Sequence, residues 1–256
     1  MKKVPNQTVS AIPNSRSPCK KFSSTGQGGF TLIEIAIVLV IIGLLLGGVL
    51  KGQELINTAR VRALNNTVDG ITAAWFSFQD RYRAFPGDYA TAQSQINLPG
   101  LPGAAIGPDG GDSNGQVDTI AEAGRIWVHL EAAGYITGGY TDDTVTIALD
   151  EYASSVADSP DNGFGIGMVL SLGSEINNGG AAAVAAHELI TGRGIPVEVL
   201  AELDRKVDDG SAVSGAMQLG NGSANWDAAA AALCQNVNAY QLQTPSANCA
   251  AVFRNF

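Results

Sequence analysis

The dominant feature of the hydrophobic pattern is an unbroken apolar run from Phe30 to Leu50, whereas residues 1–29 contain no such run. Glu34 is the only charged residue within the apolar run. A helix rises about 1.5 Å per residue, so a run of this length crosses the hydrocarbon layer of a bilayer, which is about 30 Å thick. The pattern therefore predicts one membrane-spanning helix over residues 30–51.

Beyond this run the pattern becomes amphipathic, because apolar residues recur at three-to-five-residue steps among charged ones. These positions are Leu55, Ala59, Leu64, Val68, Ile71, Trp75, Phe78 and Tyr82. The helix is predicted to continue over residues 52–84, as far as about Arg83, because Pro86 and Gly87 break it. We expect the apolar stripe of its outer half to pack on a globular head, residues 85–256.

Local signals in the head predict two further helices. The sequence TIAE at 119–122 has the form of a capping box, and the helix that it opens is predicted to end near Gly134. Pro196 is expected to begin another helix, which stops at the turn signal of 208–210. The segment 86–118 is rich in Gly, Pro and Asp and is predicted to be an extended loop.

Short apolar runs in the head have the length of strands, and we expect them to pair in an antiparallel sheet. These runs lie at 144–149, 164–172 and 213–219. The fold class that follows is α+β, with a long N-terminal helix packed on a small antiparallel sheet.

The distribution of charge predicts the orientation of the chain in the membrane. Five basic residues and no acidic residue precede Phe30, namely Lys2, Lys3, Arg16, Lys20 and Lys21. Basic flanks stay on the cytoplasmic side, so residues 1–29 are predicted to be cytoplasmic and the head to face outward. Without residues 1–29, ten of the 15 basic residues remain beside all 24 acidic ones, and the net charge is −14. Such a charge argues against nucleic acid as a partner.

The order of these segments reverses that of an ordinary secretory signal, which places its apolar region before the cleavage site. Here the pair Gly28-Gly29 stands immediately before the apolar run. Cleavage at this junction would remove the cytoplasmic residues and leave the anchor on the mature chain. A carboxylate at mid-bilayer costs about 2.5–3.5 kcal/mol. Glu34 lies instead in the first turns, where the helix dipole and a new α-amine on Phe30 favour a negative charge.

Residues 29–34, GFTLIE, and the apolar run after them closely resemble the prepilin cleavage and methylation motif of type IV pilins and type II secretion pseudopilins. The resemblance implies that prepilin peptidase cuts between Gly29 and Phe30 and methylates the new amine of Phe30. It also implies that Glu34 takes part in assembly, where it would meet the amine of a neighbouring subunit. The match covers residues 28 to about 52 and leaves most of the head uncovered.

The resemblance is incomplete in two respects. The leader, residues 1–29, is longer than that of many pilins that begin with phenylalanine, and the helix lacks the proline often found near its exit from the membrane. Four glycines instead form two small-xxx-small spacings, Gly43/Gly47 and Gly48/Gly52, which allow close helix approach. The alternative is that these glycines face lipid and only lower the helicity.

The function that the resemblance implies is that of a structural subunit, a pilin or minor pilin, of a type IV pilus-like filament. Its partners are then prepilin peptidase, further copies of itself and other pilin-like subunits, the inner-membrane assembly machinery, and membrane lipid before assembly. The precursor is expected in the bacterial inner membrane with a periplasmic head. The processed chain is expected in a pilus or in a periplasmic pseudopilus.

Two alternative functions stay open. One is a pseudopilin of a type II secretion system, although a head that comprises positions 85–256 is larger than that of the usual major pseudopilin. The other is a membrane-anchored binding protein or adhesin that does not polymerise. No phosphate loop or paired-cysteine metal box occurs, and we expect no enzymatic activity.

The cysteines predict one disulfide. Cys19 lies in the leader, so the mature chain keeps only Cys234 and Cys249, and a pair in an exported head is expected to be oxidised. The bond would close a loop of about 15 residues, which is worth roughly 3 kcal/mol. Many pilins carry a similar C-terminal disulfide loop. The alternative, two unpaired thiols, applies to a cytosolic protein.

Candidate metal ligands are few, and we expect no cofactor, with calcium as the alternative. Oxygen ligands alternate around a glycine as in a calcium loop, but the match is imperfect, so a solvated Asx-rich turn is the favoured interpretation and calcium binding is the alternative. These ligands are Asp109, Asp112, Asn114 and Asp118. The pair His187-Glu188 begins like a zincin helix, but the second histidine is missing. The other histidine, His129, is interpreted as a packing residue.

Overall fold

The structure is a computed structural model that describes residues 30–96, 111–140, 152–157, 159–177, 183–222 and 226–256. The chain divides into two compact units, residues 1–50 and residues 51–256. Three predicted segments lie outside the described residues: the leader 1–29, the loop portion 97–110 and the strand at 144–149.

The described residues form helices and short strands in an α+β arrangement, which confirms the predicted fold class. The helices are α1 (Leu32–Tyr82), α2 (Ala92–Gln95), α3 (Ile120–Ala132), α4 (Val197–Val207) and α5 (Ala228–Ala232). The strands are β1 (Val169–Gly173), β2 (Ala186–Ile190), β3 (Met217–Leu219), β4 (Gln235–Asn236), β5 (Ala239–Tyr240) and β6 (Ala251–Phe253).

Within the second unit, α1 buries one face in the hydrophobic core. Its buried residues are Val61, Leu64, Val68, Ile71, Ala74, Trp75 and Phe78. Their three-to-four-residue spacing is that of one helix face. The prediction placed the beginning of this stripe too early, because Leu55 is 64% exposed and Ala59 is also exposed. Helical periodicity identifies the apolar face of a helix but not the point at which the head begins to cover it.

The end of α1 agrees with the predicted break. The helix ends at Tyr82, and Arg83 follows in a left-handed conformation with φ of 55°. Gly87 has a φ of 94°, and a Cβ placed on it would lie 2.5 Å from the backbone oxygen of Glu122. Only glycine therefore fits where this turn packs on α3. The predicted loop after it is interrupted by α2, in which the Gln95 N–H donates to the carbonyl of Thr91 at 3.1 Å.

The boundaries of α3 and α4 confirm the signals in the sequence. Thr119 Oγ1 accepts from the Glu122 N–H at 3.2 Å, and the Glu122 carboxylate accepts from the Thr119 N–H at 3.1 Å. This is a complete capping box, and α3 ends shortly before Gly134, whose φ is 81°. Pro196 precedes α4, which ends just before Asp208.

The main sheet has four antiparallel strands in the order β1-β2-β6-β3. In β6, Val252 is paired with Ile190 on one side and with Gln218 on the other. The predicted strands 164–172 and 213–219 were too long, since only their final residues pair as β1 and β3. Left-handed glycines such as Gly163, Gly165 and Gly215 keep the preceding residues in bends and turns.

Trp75 connects α1 to the C-terminal part of the head. Its ring lies 5.2 Å from that of Phe85, 5.3 Å from that of His187 and 6.1 Å from that of Phe256, measured between centroids. On the same helix, Phe78 stacks on His129 of α3 at 6.1 Å. Aromatic packing therefore holds the buried part of α1 against β2, α3 and the end of the chain.

Candidate functional site

The first turn of α1 holds the acidic side chain that the sequence singled out. Glu34 Oε2 accepts hydrogen bonds of 2.8 Å from both the N–H and the Oγ1 of Thr31. In return, Thr31 Oγ1 accepts from the Glu34 N–H at 3.4 Å. The two residues thus form a capping box that begins the apolar helix. Thr31 is a partner that sequence reasoning missed, although its position three residues before Glu34 was the available signal.

Both bonds from Thr31 end on the same carboxylate oxygen of Glu34, so Oε1 lies outside this arrangement. Phe30, the residue that cleavage would expose as the new N-terminus, precedes the cap and is 83% exposed. Gly29 lies outside the described residues. The site therefore combines the exposed residue Phe30, the predicted new N-terminus, with the Glu34 carboxylate. Glu34 Oε1 accepts no hydrogen bond from the described residues.

The surface of α1 after this cap is apolar on every side. Residues 32–50 are all exposed, and the most hydrophobic 18-residue window of the helix has a mean hydropathy of 2.8. By length and composition the helix is a candidate membrane span. A large exposed apolar surface needs lipid or protein around it.

The four glycines of the predicted packing motif lie on α1. A Cβ placed on Gly43, Gly47, Gly48 or Gly52 would meet nothing within 4 Å. No close approach within the described chain therefore explains why these positions lack a side chain. Packing between helices of different subunits stays a prediction for them.

Cys234 and Cys249 form a disulfide with a Cα–Cα distance of 5.8 Å, as predicted. Both residues are fully buried. The bond joins the segment after α5 to the segment before β6, and the hairpin of β4 and β5 lies within the loop that it closes.

The segment with calcium-like ligand spacing is a turn held by its own side chains. The Asp112 carboxylate accepts from the Asn114 N–H at 3.0 Å and from its Nδ2 at 3.1 Å. Asn114 Oδ1 in turn accepts from the Gln116 N–H at 2.7 Å. These are the bonds of Asx turns, the favoured interpretation. Asp118 is exposed and Asp109 lies outside the described residues, so calcium binding by this set stays a prediction.

Asp88 is a buried acid that the sequence reasoning missed. Its carboxylate accepts from the Asn114 N–H at 3.2 Å and from the Gly115 N–H at 2.8 Å. Its carboxylate oxygens come close to those of Asp112 and Glu122, within 4.8 Å. Burial raises the pKa of Asp88 and that of Glu122, and the backbone N–H donors oppose the shift. The only signal for Asp88 was its place in the turn after Pro86, which gives no indication of its distant partners.

Residues 111–115 read GDSNG and match the G-x-S-x-G pattern, which sequence analysis did not single out. Ser113 has a φ of 58°, but it lies in a loop rather than between a strand and a helix. Its Oγ accepts from the Ala90 N–H at 3.1 Å and donates to the Asp88 carbonyl at 3.2 Å. The hydroxyl therefore closes a loop and has no hydrogen bond to a histidine among the described residues.

The histidines are acceptors for backbone N–H groups. His129 Nδ1 accepts from Gly87 at 2.9 Å, and His187 Nε2 accepts from Val117 at 3.2 Å. His187 and Glu188 lie on β2, not on a helix, and Glu188 is buried beside Arg254 Nε at 3.0 Å. Burial lowers the pKa values of both imidazoles, that of His129 to about 4, and so favours their neutral forms.

We expect the acid sensitivity of the head to depend on His129. An unfolded histidine has a pKa of 6.5, so lowering the pH from 6.5 toward 4 adds a proton to the unfolded chain while the folded chain stays unprotonated. The loss of stability reaches about 3 kcal/mol at pH 4. In His129→Asn, Oδ1 replaces Nδ1 as the acceptor without titrating, and this part of the loss should disappear. Urea unfolding of both full-length proteins in detergent at pH 7 and at pH 4.5 measures the difference.

The comparison must be made between variants, because another buried group changes stability in the opposite direction. The pKa of Asp204 is raised to about 6, mainly by burial, so acid stabilises the folded state through this group. Unfolding free energies that fall in parallel for wild type and His129→Asn would contradict the assignment to His129.

Comparison with known proteins identifies the N-terminal segment. The family model for the prokaryotic N-terminal methylation motif matches residues 24–50. This motif is typical of type IV pilins and pseudopilins. No curated protein and no solved structure matches the chain.

The motif supports a prepilin-like substrate of prepilin peptidase, either pilin or pseudopilin, as the class of protein to which the N-terminal site corresponds. Together with the apolar helix, it fits a single-pass, membrane-anchored precursor. The family is a structural one, and processing by the peptidase and assembly with other pilin subunits are what the motif implies.

Proposed function

We propose that this chain is the precursor of a pilin or minor pilin, a structural subunit of a type IV pilus-like filament. The observation that carries the proposal is the methylation motif at residues 24–50, with Glu34 in the first turn of a helix that is apolar all round. Prepilin peptidase cuts after Gly29 and methylates the amine of Phe30. The head faces the periplasm before assembly and the filament surface afterwards.

The apolar surface of α1 is compatible with assembly as well as with anchoring, and the glycine spacings and the charge of Glu34 favour assembly. Lipid satisfies this surface before assembly, and neighbouring helices can replace lipid without a hydrophobic cost, since lipid tails are as apolar as leucine. The pairs Gly43/Gly47 and Gly48/Gly52 have the small-xxx-small spacing at which helix backbones approach closely. An anchor that only holds a head at the membrane needs neither these spacings nor a charge.

Glu34 supplies the specific contact in this proposal. The Thr31 donors engage Oε2, so Oε1 is available to the methylated amine of Phe30 in an adjacent subunit. A charge pair in an apolar setting is much stronger than one at a surface, and each charge is costly when it is unpaired. Pairing therefore sets the axial position of each subunit relative to its neighbour.

The head favours a pilin or minor pilin over the alternative of a type II secretion pseudopilin. It comprises residues 85–256, which is large for a major pseudopilin. Both kinds of subunit share the same processing. A retraction motor encoded beside the gene supports a pilus, whereas a secretin-linked secretion cluster supports a pseudopilus.

Processing is tested by mass spectrometry of the chain expressed with an active or a catalytically inactive prepilin peptidase. We expect a mature chain that starts at Phe30 and is heavier by one methyl group, and only with the active enzyme. The inactive enzyme is the control for cleavage by other proteases. A chain that stays uncut under both conditions would remove the basis for assembly and favour the anchored binding protein.

A further inference from the structure

A second group of acids lies at the end of α4, far along the chain from the segment with calcium-like ligand spacing. Asp204, Asp208 and Asp209 each offer a carboxylate oxygen, and these oxygens lie within 4.8 Å of one another. Their exposure is graded, because Asp204 is fully buried, Asp208 is half-buried and Asp209 is exposed. One side of the group thus faces the core and the other faces water.

The two outer acids shape the loop that follows α4. Asp208 Oδ2 accepts from the N–H groups of Ala216 and Met217, the latter at 3.2 Å. The Asp209 carboxylate accepts from the Ser211 N–H at 2.8 Å and from Ser214 Oγ at 2.7 Å. The loop therefore holds both carboxylates beside Asp204 and leaves Asp208 Oδ1 outside these bonds.

Asp204 is the unusual member of the group. Its Oδ2 accepts from the hydroxyl of Tyr240 at 2.9 Å, whereas its Oδ1 is buried and has no hydrogen-bond partner among the described residues. The Gly210 N–H favours the charged form of this carboxylate but does not reach hydrogen-bond geometry with Oδ1. A buried, unsatisfied carboxylate oxygen is expensive and calls for a ligand or a proton. The acids around Asp88 differ in this respect, since both carboxylate oxygens of Asp88 and of Glu122 accept backbone N–H groups.

No basic residue among the described ones forms an ion pair with the three acids. Lys206 pairs with Glu202 at 2.6 Å, and neither Lys206 nor Arg205 forms an ion pair with the group. Burial, followed by the negative charges of Asp209 and Asp208, raises the pKa of Asp204 to about 6. A bound cation would relieve this repulsion.

We propose that Asp204, Asp208 and Asp209 form a binding site for a hard divalent cation, with calcium as the best fit. Two oxygens that bind the same calcium ion at about 2.3–2.6 Å lie no more than about 5 Å apart, as these do. Each of the three acids supplies one carboxylate oxygen as a ligand, and Asp204 Oδ1 has no other partner among the described residues. Water on the side of Asp209 completes the six to eight oxygens that calcium takes.

The ion would connect three parts of the head. Asp208 holds the start of β3, Asp204 bonds to Tyr240 of β5, and β5 lies within the disulfide loop. Weak calcium sites with dissociation constants of about 0.1–1 mM are typical of extracellular modules. The site goes beyond the proposed function and does not depend on it, since the head would bind calcium whether or not the chain polymerises.

The test uses the full-length chain in detergent, stripped of metal and titrated with calcium or magnesium while its thermal midpoint and the heat of binding are measured. We expect calcium to raise the midpoint by several degrees in a saturable manner, and magnesium to act more weakly. Asp209→Asn should weaken calcium binding at least about tenfold, since it removes one ligand charge. Glu198→Gln, which removes an exposed charge from the same helix, is the control and should bind calcium like wild type.

Asp204→Asn separates loss of a ligand from loss of structure. Without metal, its thermal midpoint should rise above that of wild type, because a buried charge is removed, and the response to calcium should vanish. Asp112→Asn tests the other acidic group and should keep the response. A wild-type midpoint unchanged by millimolar calcium, a response that survives both Asp204→Asn and Asp209→Asn, or a loss of response in Asp112→Asn would each overturn the proposal. An equal response to magnesium would overturn the choice of calcium.

Discussion

Replacing Glu34 by alanine is expected to abolish incorporation of this chain into filaments while leaving insertion of the precursor into the membrane intact. Removing one partner of a buried charge pair costs about 2–5 kcal/mol. Each subunit contact in a filament repeats that cost. Insertion should not suffer, because alanine makes the helix more apolar. The measurement is the amount of the chain in sheared filaments relative to the membrane fraction.

Two further variants distinguish the charge of Glu34 from its role in capping. In Glu34→Gln, the amide oxygen keeps the hydrogen bond from the Thr31 N–H but carries no charge, so assembly should still fail. In Thr31→Ala, the charge stays and the hydroxyl is lost, which costs about 1 kcal/mol of helix capping and should leave assembly largely intact. Normal assembly of Glu34→Ala would refute the proposed contact and favour a membrane-anchored protein that does not polymerise.

The second large effect is expected from the disulfide. The double substitution Cys234→Ser and Cys249→Ser should lower the free energy of unfolding by about 3 kcal/mol, because it frees a loop of 15 residues. Both sulfur positions are buried, so the new hydroxyl groups add a desolvation cost. Urea unfolding of the full-length chain in detergent measures the change.

Cys19 provides the matched control for the disulfide, because it lies in the leader and has no partner in the predicted pairing. Cys19→Ser should leave the unfolding curve unchanged. A double variant as stable as wild type would show that the head does not depend on this crosslink, and a destabilised Cys19→Ser variant would contradict the pairing.

Sequence signals that act between neighbouring residues predicted where helices begin and end. The capping box at 119–122 and the proline at 196 each act within one turn of the chain, and α3 and α4 begin where they indicate. The break after Tyr82 follows in the same way from Pro86. Such features depend on local backbone geometry, which does not require knowledge of the rest of the fold.

Two strands of the main sheet, β2 and β6, were not predicted. β2 contains His187 and Glu188, and these polar residues interrupt the apolar pattern of a buried strand. The strand can bury Glu188 because Arg254, far away in the sequence, lies beside it. β6 is a very short strand, and its place in the sheet comes from pairing with β2 and β3. The apolar pattern of so short a segment contains too little information to identify a strand.

Among the candidate functional residues, too, those with local signals were recognised and those with distant partners were missed. Glu34 was recognised because a charge within an apolar run is conspicuous, whereas its capping partner Thr31 was overlooked. Asp88 and Asp204 were missed because the groups that they contact, the Asn114 N–H and the Tyr240 hydroxyl, lie far from them along the chain. No spacing rule connects such residues, so only the folded chain brings them together.

The central position of β6 determines when the main sheet of the head can be completed. A sheet in the order β1-β2-β6-β3 cannot be completed until residues 251–253 are available to pair, because β3 is joined to β2 only through β6. Contacts of long sequence separation also form late and slowly. In the export that we propose, the head would therefore complete its main sheet only after residues 251–253 had crossed the membrane.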